Sequence, residues 1–225
     1  CTILQLVKEE KISLDDSLHK WLSSYPNIDD DITIKQLLNH TSGIFDLAEN
    51  SDLMQSIVNE PNKTFTMEEV VQNYTMAPYF AKGSDWHYSS TGYLLLRMII
   101  KKITDSEIST QYRNRFFQPL GMNNSYTAPE EVIDNYAQAW LDLDGDGNYD
   151  KLPFLTSFYS TAGGGLFCTA TDLVTWAHSL FLRRNVISEP LYSQMIDFYS
   201  PCTGEWMLEG YGLGVERFNS ELFNN

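Results

Sequence analysis

The sequence is poor in the features that assign a function fastest. Its cysteines, Cys1, Cys168 and Cys202, are odd in number and far apart, so they form neither a disulfide framework nor a C-x-x-C redox or zinc signature. The four histidines, His19, His40, His87 and His178, have no H-E-x-x-H spacing. Packing or surface roles suit them better than ligation, and no metal or other cofactor is expected. Cations are scarce: 15 Lys plus Arg stand against 30 Asp plus Glu, a formal charge of -15. That surplus opposes phosphate backbones and anionic lipid, so nucleic acid is not an expected partner. The longest apolar run, Tyr93 to Ile100, is broken by Arg97 and falls well short of the roughly 20 residues that span a bilayer. No transmembrane segment is expected.

What the chain has is a core. With 225 residues, 43% hydrophobic and 13% aromatic, it can bury one large domain, and that composition excludes a disordered acidic chain. No internal repeat, low-complexity tract or linker divides it, which predicts a single domain over residues 1–225. Periodicity is mostly helical, with short strands. "CTILQLVKEEKISLDD" opens as an amphipathic helix with Ile3, Leu4, Leu6 and Val7 on one face. It carries no cap ahead of its first turn and no signal-peptide pattern, so the element is expected to begin upstream. Thr33 caps a helix through Ile34, Leu37 and Leu38 that ends in the polar turn His40 to Gly43. Thr66 and Glu69 have capping-box spacing, and "TATDLVTWAHSLF" predicts a helix from Thr171 with Leu173, Val174, Trp176, Ala177 and Leu180 as its apolar positions. "GYGLGVERFNSELFNN" predicts a strand that leads towards a turn and has no partner after it.

Three stretches could carry chemistry. In "DWHYSSTGYLLLRMIIKKIT", Tyr88, Ser89 and Ser90 stand before Thr91, Gly92 and a long apolar run. Tyr88 is either a catalytic phenol held at a helix N-terminus or an aromatic at the core edge with a satisfied hydroxyl. In "LDLDGDGNYD", Asp142, Asp144 and Asp146 before Gly147, with Asp150 later, resemble the start of an EF-hand calcium loop. The position of the bidentate Glu is Pro153. A turn between the strands "AQAWL" and "YDKLPF" is the better reading. In "STAGGGLFCTATDL", Gly163, Gly164 and Gly165 have neither G-x-G-x-x-G nor G-x-x-x-x-G-K-[ST] spacing. Close backbone packing beside a cleft or helix therefore explains them better than phosphate binding.

"ILQLVKEEKISLDDSLHKWL", "ITIKQLLNHTSGI", "HYSSTGYLLLRMIIKKIT", "FFQPLGMNNS" and "STAGGGLFCTATDLVTWAHSLF", in that order, resemble the serine β-lactamase and penicillin-binding-protein superfamily. The similarity is to its class C β-lactamase, D-alanyl-D-alanine carboxypeptidase and esterase branch, and it covers nearly the whole chain. "LLNHTSG" with "PLGM" is the most specific part. The resemblance implies an α+β fold, an antiparallel sheet with helices plus a mainly helical lobe, this chain being mostly the lobe and the cleft rim. It implies a serine acyl hydrolase working through an acyl-enzyme on a β-lactam, ester or D-alanyl peptide. A non-catalytic relative that binds peptidoglycan-type peptides or a protein partner is the alternative. Family motifs are S-x-x-K, Y-x-N and K-T-G or H-x-G. Tyr88 matches the tyrosine and implies a catalytic role, and Ser90 stands at the asparagine position and implies substrate binding. The alternative for Ser90 is an N-cap or near-cap. The first motif would fall just before Cys1 and the third after the last strand, so the domain is expected to lack its N-terminal nucleophile segment and its C-terminal strands. A lysine from the first motif and the helix N-terminus would together favour the Tyr88 phenolate. An extracytoplasmic location is also implied by the family.

Overall fold

The computed structural model describes residues 1–131, 136–142, 147–151, 156–161, 165–199 and 208–218. Helices α1 (Thr2–Lys8), α2 (Ile34–Leu38), α3 (Ser51–Asn59), α4 (Met67–Tyr74), α5 (Ser90–Thr104), α6 (Ile108–Tyr112) and α7 (Gln118–Leu120) come first. Strand β1 (Ser125–Thr127) follows, then β2 (Trp140–Leu141), β3 (Asp150–Lys151), α8 (Thr156–Thr161) and β4 (Leu166–Cys168). Helices α9 (Ala170–Ala177) and α10 (Glu189–Met195) precede β5 (Leu208–Tyr211) and β6 (Glu216–Phe218). The strands form three antiparallel pairs, β1 with β4, β2 with β3 and β5 with β6. This is the α+β arrangement that the sequence predicts, with the helical part dominant.

Helix α5 is the axis of the core. An amphipathic surface helix buries one stripe, whereas α5 buries Thr91, Gly92 and every residue from Leu94 to Ile100. Gly92 lets α2 approach closely, since a Cβ there would stand 3.4 Å from the Leu37 carbonyl oxygen. Leu94, Leu95 and Ile99 are fully buried and join Leu4 and Leu6 of α1, Ile34 and Leu37 of α2 and Val70 and Val71 of α4 in one apolar cluster. The buried cation of this helix, Arg97, is paired with Glu130, which offsets the cost of taking its charge out of water.

The predicted caps at Thr33 and Thr66 are present. Thr33 and Gln36 form the full reciprocal box, and the Thr66 hydroxyl accepts from the Glu69 amide at 3.1 Å. The expectation for α9 needs correction. Its cap is Thr169, whose hydroxyl accepts from the Asp172 amide, and Leu173 and Val174 are exposed. Tertiary contact decides this register: Asp172 is buried because its carboxylate accepts from the Asn124 amide and the Ser125 hydroxyl, both at 2.9 Å. That turns Asp172 inward and Leu173 outward.

The C-terminal stretch also differs from expectation. "GYGLGVERF" is not one unpartnered strand, because β5 and β6 pair with each other across a turn. Gly214 has φ +79°, a left-handed conformation that glycine adopts at little cost. A Cβ on Gly212 would collide with the Met195 carbonyl oxygen at 2.1 Å. In "LDLDGDGNYD" the flanking strands pair as the turn reading requires, Leu141 opposite Asp150, and the Gly147 amide donates to Asp142 at 3.0 Å. Asp144 and Asp146 lie outside the described residues, as do Gly163 and Gly164. Gly165 is described, and a Cβ there would stand 2.7 Å from the Tyr159 ring, in keeping with close packing.

An apolar cavity of about 480 Å³ lies beside α5, bordered by Cys1, Leu96, Ile100, Phe116, Trp176 and Leu180 among others. Tyr88 does not line it. No helix among the described residues is long and apolar enough to cross a membrane.

Truncating the centre of α5 tests its role. Ile99→Ala should lower the free energy of unfolding by about 2–5 kcal/mol, the range for deleting a buried branched side chain, read from urea titration. A loss below about 1 kcal/mol would place the core's weight elsewhere.

Candidate active site

The N-terminus of α5 is held from a distance. Ser89 is the N-cap residue, but its side chain makes no capping bond. The orphan amide of Ser90 donates instead to Oδ1 of Asp46 at 3.1 Å, and the same oxygen accepts from the Ala48 amide at 3.1 Å. A buried carboxylate from another loop thus serves the helix end, where the partial positive charge of the helix favours an anion. Ser90 is therefore the first residue of the helix, not its cap.

The loop that supplies Asp46 is itself buried from His40 to Leu47. Buried backbone needs partners, and many of them come from the segment leading into α5 and from its first turn. The Phe45 carbonyl accepts from the Thr91 hydroxyl at 2.6 Å, and that hydroxyl accepts from the Leu47 amide at 3.0 Å. Gly83 donates to the Thr41 carbonyl at 2.7 Å, Tyr79 to that of Gly43 at 2.9 Å and His87 to that of His40 at 3.1 Å. Gly43, at φ +74°, lets Phe80 pass, because a Cβ there would meet the Phe80 carbonyl oxygen at 2.2 Å. Two loops are laced into one rigid platform.

Tyr88 stands on that platform, immediately before Ser89. Its flanks are fixed while its own side chain is 44% exposed. Beneath it lies His40, with ring centroids 4.3 Å apart. Tyr93, Tyr211 and Trp86 complete an aromatic nest around the imidazole, at 5.1, 4.6 and 6.2 Å. Burial pushes the His40 imidazole down to about 3, and His87 adds a smaller push in the same direction.

The charges that residues 1–225 place around Tyr88 are negative. Burial, then the carboxylates of Asp46 and Glu216, raise its phenol above the ordinary value, and only the Ser90 hydroxyl acts to lower it. Among the described residues, burial first and then the anion that caps the helix outweigh the helix end and hold the phenol up. Ser90 and Tyr88 stand side by side, and the Ser90 hydroxyl interacts with the phenol. Tyr93 and Tyr211 are hydrogen-bonded to each other, and burial keeps both phenols well above the ordinary value.

Sequence reasoning missed Asp46 and assigned His40 only packing or surface. His40 lies in the stretch "ITIKQLLNHTSGI" and Asp46 two residues beyond it, and both meet the segment around Tyr88 only through contacts across more than 40 positions. The letters S-x-x-K do occur at Ser17 to Lys20, but that lysine is bound to Asp16 at 2.7 Å and lies over the Trp21 ring. Its neighbours are not those of Tyr88. No cluster of three or more His, Cys, Asp or Glu side chains suited to a metal occurs among the described residues.

Comparison with known proteins gives the site a family context. The family model described as Beta-lactamase matches residues 1–222. Penicillin-binding protein 4* of Bacillus subtilis (strain 168) is 32% identical over 147 residues, 60% of this chain and 31% of that protein. The putative penicillin-binding protein PbpX of the same organism is 25% identical over 213 residues, 94% of this chain and 49% of the relative. The chain thus spans about half or less of these relatives. Among solved structures, a D-stereospecific amidohydrolase from Streptomyces sp. superposes with a TM-score of 0.85 at 26% identity, covering 96% of this chain and 66% of that one. The octameric penicillin-binding protein homologue from Pyrococcus abyssi gives 0.77 at 28% identity, over 96% and 50%.

Two measurements follow from the electrostatics. Asp46→Asn keeps an oxygen for the helix end but removes the charge, so the Tyr88 phenol should titrate at lower pH, seen in the Cζ chemical shift. A rise would contradict the arrangement. The second concerns stability. Below His40's unperturbed value near 6.5 the unfolded chain takes up a proton that the folded chain refuses. The unfolding free energy should therefore be whole above pH 6.5 and fall between 6.5 and about 3, with a slope approaching roughly 1.4 kcal/mol per pH unit. Between pH 6 and 5, above the carboxylate range, His40→Asn should flatten that slope, and an unchanged slope would show that His40 is not its source.

Proposed function

Because the chain belongs to the Beta-lactamase family, we propose that it serves in a serine acyl hydrolase in which Tyr88 handles the proton and Ser90 helps hold the substrate. The observation that carries this reading is the half-exposed Tyr88, held just before the start of α5 and beside the hydroxyl of Ser90. Hydrolysis through an acyl-enzyme needs one proton moved twice. A nucleophilic serine loses it as its oxygen bonds the carbonyl carbon, and the leaving nitrogen or oxygen receives it as the old bond breaks. Water then attacks the acyl group and restores the serine.

Tyr88 suits the second transfer as it stands. Neutral at working pH, the phenol is a donor placed where a leaving group can reach it. Accepting the serine's proton requires a cation near the phenol to offset Asp46 and Glu216, and an S-x-x-K lysine from outside residues 1–225 is the source we assign. Ser90, shorter than the family's asparagine, has one hydroxyl where the amide has both an acceptor and an NH2. Donated to Tyr88, that proton is no longer available to the substrate, so Ser90 contributes an acceptor to the anchoring of a polar substrate group.

The substrate class is an amide, ester or β-lactam carbonyl. The names of two similar proteins, a D-stereospecific amidohydrolase and a penicillin-binding protein, support carbonyl compounds of D-amino-acid type first. An extracytoplasmic location is proposed with it. The second reading, a non-catalytic module that binds such peptides or a protein partner, is favoured by the raised phenol and by Ser90 in place of asparagine.

One experiment separates the two. The complete polypeptide, treated with a fluorophosphonate and examined by intact mass, should gain one adduct on a serine outside residues 1–225. Tyr88→Phe, with unchanged folding, should slow acylation by about 10² to 10⁴-fold. No adduct, with retained binding of a D-alanyl peptide, establishes the module. An adduct on Ser42 or Ser90 overturns the assignment of the nucleophile.

A further inference from the structure

We propose that His40 is the positioning residue of Tyr88: a neutral imidazole that fixes the backbone on both sides of the tyrosine and lies against its ring, so that the hydroxyl is presented in one place. This inference rests on the assignment of Tyr88 to proton transfer.

The bonding is specific. The Ser89 amide donates to Nδ1 of His40 at 3.1 Å, and the His87 amide donates to the His40 carbonyl oxygen at 3.1 Å. Residues 87 and 89 are therefore tied to one residue, and Tyr88 between them is left with its side chain free to project. Because Nδ1 accepts, the ring proton must sit on Nε2. That Nε2 is buried and has no hydrogen-bond partner among the described residues. A core built only for stability avoids an orphaned donor, or replaces the ring with an apolar side chain. The backbone adds a second sign, since His40 is left-handed at φ +62°, a conformation sparsely populated by non-glycine residues. Strain and an unsatisfied group coincide on the one side chain that touches the ring of Tyr88 and bonds its neighbour.

Neutrality is built in by the surroundings. From the segment leading into α5 come His87 and Tyr88, from α5 itself Tyr93, and from the β5–β6 hairpin Tyr211 and, near Tyr88, Glu216. Asp46 lies on the same platform but its Oδ1 is engaged by two amides. No carboxylate is hydrogen-bonded to the imidazole among the described residues. A protonated Nδ1 could not accept from Ser89, so a charged ring would open the clamp.

The substitutions to compare in the complete polypeptide are His40→Asn, His40→Gln and His40→Leu. Asparagine tolerates a left-handed backbone and can place its oxygen near the position of Nδ1, glutamine reaches the position of Nε2 instead, and leucine fills space without an acceptor. Asparagine should keep turnover within about 3-fold, while glutamine and leucine should lower kcat by 10-fold or more with little change in KM. Amide exchange at Ser89 should be slow in the parent and in His40→Asn and should quicken in the other two. Imidazole nitrogen shifts of the parent should show a protonated Nε2 and an accepting Nδ1 from pH 8 to 5. Equal behaviour of the asparagine and leucine variants, or a His40 ring that charges near pH 6.5, overturns the proposal. The exchange and nitrogen readouts need no turnover. If the protein proves inactive while they behave as stated, the hydrolase reading fails and the clamp stands; if it is active and they do not, the reverse holds.

Discussion

The burial of α5 on almost every side is the constraint from which the rest of the structure follows. A helix that packs against α1, α2 and α4 at once cannot rotate or slide without opening the core. Its N-terminal end is thereby fixed in space, together with whatever precedes it. The buried loop from His40 to Leu47 needs partners for its backbone and finds them on the stretch entering this helix. Each partner is rigid because the other is. A half-exposed tyrosine on such a platform keeps a defined position with little support of its own, which is what proton transfer between positioned groups demands.

The electrostatics of the platform pull in two directions. Asp46 stabilises the start of α5 by accepting from Ser90, yet its charge opposes ionisation of the neighbouring phenol. A structure that needed only a well-capped helix could use the Ser89 hydroxyl. Here that hydroxyl reaches the Phe45 carbonyl at 3.4 Å, and a carboxylate does the capping. Burial and the two carboxylates hold the Tyr88 phenol above its ordinary value, so a lowered phenol would require a cation close by.

Much of the helical framework could be read from the sequence because it is local. Thr33 with Gln36 and Thr66 with Glu69 lie three positions apart, and the cap bond forms wherever the chain turns helical. The error at α9 marks the limit. "TATD" holds two threonines, each able to cap, and the choice was made by Asp172 bonding to Asn124 and Ser125, nearly fifty residues away. The hairpin at Tyr211 to Glu216 was missed because its turn uses glycines at spacing that also fits a single strand. For the site the division is the same. Tyr88 and Ser90 carry a motif within three letters, whereas Asp46 and His40 act only after folding brings their loop beneath α5.

Ser90 shows how such a platform can be retuned without being rebuilt. It is the first residue of α5, so its backbone amide is committed to Asp46 and its position cannot drift. Only the side chain is free to vary, and the hydroxyl it carries interacts with Tyr88 and favours the ionised phenol. The serine acts on the phenol: it offsets part of what Asp46 and Glu216 impose on Tyr88. In an acidic chain with a formal charge of -15, this small neutral donor is, among the described residues, the group that acts against the surrounding field at Tyr88.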